Sequence, residues 1–83
     1  MKYQLIKHNK SGSKLVKMYD SLDEVKKAIA VQGLRFESLS YVGGWPLFTD
    51  NNRKVWSVQG AAMFDTGDYV VCSLPQKEAE SFQ

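Results

Sequence analysis

Between Asp20 and Leu34 several local signals agree on one helix, and that helix restricts what the rest of the chain can be. Ser21 followed by Glu24 is a capping box: the hydroxyl accepts from the Glu24 N–H and the carboxylate reaches back to the Ser21 N–H. Leu22, Val25, Ala28 and Ile29 fall on one side of the helical spiral, with Asp23, Lys27 and Ala30 opposite. Gly33 supplies a left-handed stop, after which Leu34 can fold back on Ile29. The spacing predicts a helix over about 22–32 with one apolar stripe, and such a stripe needs a second layer to cover it.

The flanking segments supply that layer. Lys2 to His8 alternates as a strand, Tyr3 and Leu5 on one face and Gln4, Ile6 and His8 on the other. Asn9 to Gly12 reads as a hairpin loop and Ser13 to Tyr19 as the second strand. Leu34 and Phe36 share one parity and Leu39 and Tyr41 the other, so the third strand is expected to contain a bulge or a break near Glu37 and Ser38. After the Gly43-Gly44 turn, Pro46 places Trp45 to Phe48 at an edge or at a strand start, because proline has no N–H to give a ladder. Thr49 to Asn52 turns the chain into Lys54 to Val58, a second hairpin. Gln59 to Phe64 fits a strand or a helical turn, Asp65 to Asp68 is a turn, and Tyr69 to Leu74 is a strand ending at Pro75. The expected fold is α+β: a mainly antiparallel sheet in the order β-β-α-β-β-β-β with the one helix packed on one face. Residues 1–75 make a single domain, and 76–83 a polar C-terminal tail, frayed or weakly helical.

A chain of 83 residues buries only about 60 to 65% of its unfolded surface, enough for a core but not for a deep pocket. Cys72 is the only cysteine and His8 the only histidine, and no metal-ligand spacing occurs, so no internal disulfide, metal or cofactor is expected. The first ten residues contain no apolar run resembling a signal peptide, and the expected location is cytoplasmic, without a membrane partner. Asp65-Thr66-Gly67 has the active-site triplet of aspartic proteases, but too few residues follow it to build their cleft, and a turn is the simpler reading. His8 reads as a loop residue at a hairpin end and Cys72 as an inert strand residue. The chain is expected not to be an enzyme.

Charge is divided unevenly. Met1 to Phe36 carries eight Lys or Arg against three acids, and Glu37 to Gln83 three against six. A basic half can bind phosphates or an acidic protein surface, or simply solvate a strand face and discourage edge pairing. Trp45 and Trp56 sit in the two arms of the second hairpin, near Arg53 and Lys54. Such rings can stack bases, anchor a protein interface, or form the core beneath the helix. The candidate binding residues are Lys7, Lys10, Lys14, Lys17, Trp45, Arg53, Lys54 and Trp56.

The run Tyr19-Asp20-Ser21-Leu22-Asp23-Glu24-Val25, after a basic hairpin and before a Gly-Leu-x-Phe strand, resembles the β-β-α-β layout of small phage-encoded inhibitors, including some anti-CRISPR proteins and inhibitors of bacterial RNA polymerase. Gly44-Trp45 and Asp50 to Trp56 extend the likeness to a final hairpin, so that it covers about residues 1–58; Gln59 to Gln83 departs from it. The resemblance implies a non-enzymatic protein that sits on a host nucleic-acid machine. The expected function is therefore a small protein-interaction module with a protein partner, such as a phage-type inhibitor. The alternative is direct nucleic-acid binding through the basic hairpin and aromatic residues. Pairing of two copies through an exposed sheet edge is compatible with either.

Overall fold

The structure, a computed structural model, describes the backbone of residues 1–83 and every side chain except that of Leu15. Strands β1 (Lys2–Asn9) and β2 (Gly12–Tyr19) form a hairpin that runs into helix α1 (Leu22–Val31). The capping box is complete: Ser21 Oγ accepts from the Glu24 N–H at 3.2 Å, and the Glu24 carboxylate accepts from the Ser21 N–H at 3.2 Å. At the other end Gly33, at φ 67°, gives its N–H to Ala30 O while Leu34 N–H reaches Ile29 O, the paired bonds of a Schellman stop. Val25 and Ile29 are buried where α1 rests on β1 and β2.

The chain continues through β3 (Arg35–Leu39), β4 (Pro46–Thr49), β5 (Val55–Met63) and β6 (Tyr69–Cys72) and ends in α2 (Gln76–Glu80). All strand pairs are antiparallel, in the spatial order β2-β1-β5-β4-β3. β1 lies along one side of β5 from Val55 to Ala61, while the other side of β5 is shared, Val55–Ser57 by β4 and Gly60–Met63 by β6. Gln59 to Met63 is thus strand, because β1 and β6 supply its partners. The bulge in β3 lies between Phe36 and Ser38. A further bulge in β2 sets Leu15 opposite Ile6 but Lys17 opposite Leu5, leaving Val16 as the extra residue.

Cross-strand partners share a face, so the register sorts the side chains. Tyr3, Leu5, Phe48, Trp56 and Val58 form the buried face under the helices. Gln4, Ile6, His8, Ser57, Gln59 and Ala61 lie on the other face.

The architecture differs from expectation at its end: there are two helices, not one. Residues 76–83, expected as a polar tail, contain α2 and join the core. Ala79 is buried, and the Phe82 ring meets Phe48 edge-to-face with centroids 5.8 Å apart, continuing the same contact between Phe36 and Phe48. The Tyr3 hydroxyl donates to Glu78 Oε1, and the Lys26 ammonium of α1 stands 5.4 Å from the Phe82 ring centroid. A helix this short has no stability of its own, so these contacts hold it.

Two outcomes test this docking. Phe82→Ala should lower the unfolding free energy by about 2 kcal/mol in urea titration, part of the cost of deleting a buried aromatic ring, whereas a frayed tail would show no change. The Glu78 hydrogen bond, with burial and the carboxylate charge, pushes the Tyr3 hydroxyl up to about 12. The protonated form is thus favoured in the folded state, so its stabilisation is complete below the ordinary tyrosine value near 10 and is lost as pH rises toward 12. Tyr3→Phe should remove that part of the alkaline transition and cost about 1 to 2 kcal/mol at neutral pH.

Candidate functional site: a basic end of the sheet

The strand directions place the cations. β1 runs toward one end of the sheet, β2 and α1 return and come back, and β3 starts at that same end. Arg35 pairs with Thr49, Thr49 with Val55, and Val55 with His8, so the Asn9–Gly12 loop, the start of β3 and the turn before β5 all lie together. This brings Lys7, Lys10, Lys14, Arg53 and Lys54 to one end and adds Arg35, which the sequence reading left out. Arg35 was findable from direction counting, since the helix stop at Gly33 lands the chain beside the first hairpin loop. Lys17 belongs to the same face as Lys7 and Lys14 only because the β2 bulge rephases the strand, and it sits further inward, its ammonium 5.4 Å from the Tyr19 ring centroid. Among the described residues the one ion pair is Lys2–Asp20, away from this end. The opposite end collects Asp20, Asp23, Glu24, Asp65 and Asp68.

Trp56 is not presented to a partner. At 6% exposure it lies in the core, its Nε1 donates to Asp50 Oδ2 at 2.9 Å, and the Lys7 ammonium lies 5.5 Å from its ring centroid. The reason is register: Trp56 opposes Lys7 and Phe48 on the face that the helices cover. Trp45 is half-buried away from the basic end, with its indole N–H donating to Cys72 O at 3.2 Å. Neither ring is a free stacking platform at the basic end.

Asp50 organises the turn that carries two of them. Its Oδ1 accepts from the Asn52 and Lys54 N–H groups at 2.8 and 2.9 Å while Oδ2 takes the Trp56 indole. The Trp56 N–H above all, then the backbone donors and the Lys7 charge, hold the Asp50 carboxyl below the usual carboxylate range. The turn closes with Asp50 N–H to Lys54 O and Arg53 N–H to Asp50 O, and the β5–β6 turn repeats the pattern with Phe64 N–H to Asp68 O and Gly67 N–H to Phe64 O. In each three-residue loop the third residue has positive φ: Gly67 at 89° and Arg53 at 62°. The Asp65-Thr66-Gly67 triplet is therefore a hairpin turn. Where one turn uses glycine, the other uses arginine in a conformation that side chains resist. Lys7 directly opposite Lys14 is a second locally unfavourable choice. Both fall at the basic end.

The other polar cluster is structural in its geometry. His8, read as a loop residue, is half-buried inside β1, with Nδ1 2.9 Å from Ser13 Oγ and Nε2 2.8 Å from Ser57 Oγ; Gln59 Nε2 donates to Ser57 Oγ at 3.1 Å. Ser57 is 1% exposed, so its hydroxyl ties β1 to β5 and cannot meet an external substrate. No group of three metal-ligating side chains occurs among the described residues, and no helix is long and apolar enough to cross a membrane. A groove of about 560 Å³ between β2 and α1 is lined by Lys17, Lys27, Asp20 and Glu24, whose acids are engaged by Lys2 and by the capping box.

Arg53→Gly should raise stability by about 1 kcal/mol in urea unfolding, by relieving the left-handed backbone. A variant that gains no stability would show that Arg53 sits in the left-handed region without strain.

No protein-family model, curated protein or solved structure compared with the chain matches it.

Proposed function

We propose that this protein is a small non-enzymatic binding module whose basic sheet end engages an acidic surface of a protein partner. One observation carries the reading: six cations from the first hairpin, the start of β3 and the turn before β5 converge at one end, unpaired with carboxylates among the described residues, and three of them, Arg53 and the facing Lys7 and Lys14, are locally unfavourable. Local cost retained on a surface is a mark of use. Charge placed this way steers association and selects partners more than it adds affinity. The resemblance of residues 1–58 to phage-encoded inhibitors points to a nucleic-acid-handling complex, such as a CRISPR effector or an RNA polymerase, as the class of target.

The second reading is direct binding of nucleic-acid phosphates by the same cations. Withdrawal of Trp56 into the core favours contacts to the backbone over base stacking. The two readings separate in one series. The chain and its Lys10→Glu, Lys14→Glu, Lys54→Glu triple variant are passed through nuclease-treated bacterial lysate and titrated against labelled single- and double-stranded oligonucleotides. The substitutions are exposed and should each change stability by less than about 0.5 kcal/mol, leaving circular dichroism unchanged. The protein reading expects a stoichiometric protein retained by the parent and lost by the variant. It fails if the variant retains the same protein or if neither retains one. Oligonucleotide affinity that falls with salt, by about 0.7 to 0.9 in log–log slope per phosphate neutralised, moves the function to the second reading.

A further inference from the structure

Three strand edges of the sheet are open, and they are not alike. β2 has a bulge and exposes Lys14 and Lys17; β3 has a bulge and exposes Arg35 and Glu37. Bulges and charges are the usual means of blocking an edge. β6, Tyr69-Val70-Val71-Cys72, has neither and pairs with β5 without a break in register. The bond from Phe64 N–H to Asp68 O sets the phase of the ladder, so Val70 and Cys72 turn their backbone groups toward β5 and Tyr69 and Val71 turn theirs outward. The strand is apolar and exposed on both faces, Val70 at 40% and Val71 at 46%.

Further exposed apolar groups stand at both ends of this edge. Met63 and Phe64 are exposed at the base of the β5–β6 turn. The Trp45 indole reaches Cys72 O from the loop Ser40–Trp45, which holds Tyr41, at 107% exposure, and Val42 out into solvent. That loop is fixed in shape: Ser40 Oγ donates to Val42 O at 2.7 Å and accepts from the Trp45 N–H at 2.8 Å, while Ser40 N–H donates to Trp45 O.

We infer that the β6 edge is a self-association surface, occupied by β6 of a second copy running antiparallel about a two-fold axis. With Val70 facing Val70 of the second copy, the outward groups of Tyr69 meet those of Val71, and each such pair exchanges two backbone bonds. Opposed strand directions bring each copy's β5–β6 turn, with Met63 and Phe64, to the other's Tyr41 and Val42. Asp65 and Asp68 of the two copies are kept at opposite ends of the joint. A foreign strand would satisfy the same backbone groups but leave Tyr41, Val42 and Phe64 without this reciprocal cover, whereas a two-fold contact uses one patch twice and closes at two copies. The inference is independent of the basic end.

Light scattering on the full chain across a concentration series tests it. The mass should rise from monomer to twice that value, and Val71→Lys should hold it at monomer with unchanged circular dichroism, while Lys54→Glu at the other end should dimerise as the parent does. The register has its own test: opposed residues in a non-hydrogen-bonded pair lie about 4.5 Å apart at Cα, within disulfide reach. Val70→Cys in a Cys72→Ser background should thus form a covalent dimer on mild oxidation, and Ser81→Cys in the same background should not. A monomer mass at about 1 mM overturns the proposal and leaves the edge to a strand of another protein. So does a Val71→Lys variant that dimerises, or equal cross-linking by the two cysteine variants.

Discussion

β5 hydrogen-bonds along one side to β1 and along the other to β4 and then β6, so that residues from both ends of the chain meet on a single nine-residue strand. The two partners on the shared side must follow one another, and between them the sheet has a joint. Trp45 bridges it, leaving β4 at its base and giving its indole N–H to the backbone of β6. The same division leaves β6 with no strand beyond it. It also fixes which residues the helices cover, because Val58 and Trp56 lie beside Leu5 and Lys7 on one face and the apolar stripe of α1 can close only over that face.

Most positions obey local rules, which makes the exceptions informative. Ser21, Glu24 and Gly33 sit where helix capping wants them, and Gly67 where a left-handed turn position wants it. Arg53 and the Lys7–Lys14 pair do not, and they share one end of the sheet with Lys10, Lys54 and Arg35. The Asp50 side chain holds the Arg53 turn from below with three hydrogen bonds, two from the loop backbone and one from the Trp56 indole, and two backbone bonds close the turn. A cation placed on so braced a turn loses little freedom when it meets a partner, which is the benefit of preorganisation in binding.

α1 was legible because all its signals act within a few residues: a cap, a stripe and a stop. The two hairpins were legible for the same reason, through polar turns between alternating runs. The β2 bulge was not, since Val16 is apolar like its neighbours and one extra residue leaves no mark on composition. α2 was hidden because its five residues are held by Phe82 on Phe48 and Glu78 on Tyr3, contacts between distant parts of the chain. The basic residues were visible singly, but their meeting depends on β1 beside β5, which no local pattern encodes. The sequence left Trp56 open between core and surface for the same reason: alternation gave it a face, and only the pairing with Lys7 and Phe48 says which face is covered.

The position of β1 between β2 and β5 also sets the order of events in folding. The β1–β2 hairpin and α1 are sequential and close only short loops, so they can form as soon as they are made. Lys2, however, pairs with Ala61, and this contact must close a loop of most of the chain. Loop closure on that scale is slow because its entropy is lost before the ladder bonds are gained. On a ribosome, β1 therefore waits with one open edge until β5 has emerged, and the unguarded edge in that interval belongs to the first strand rather than to β6.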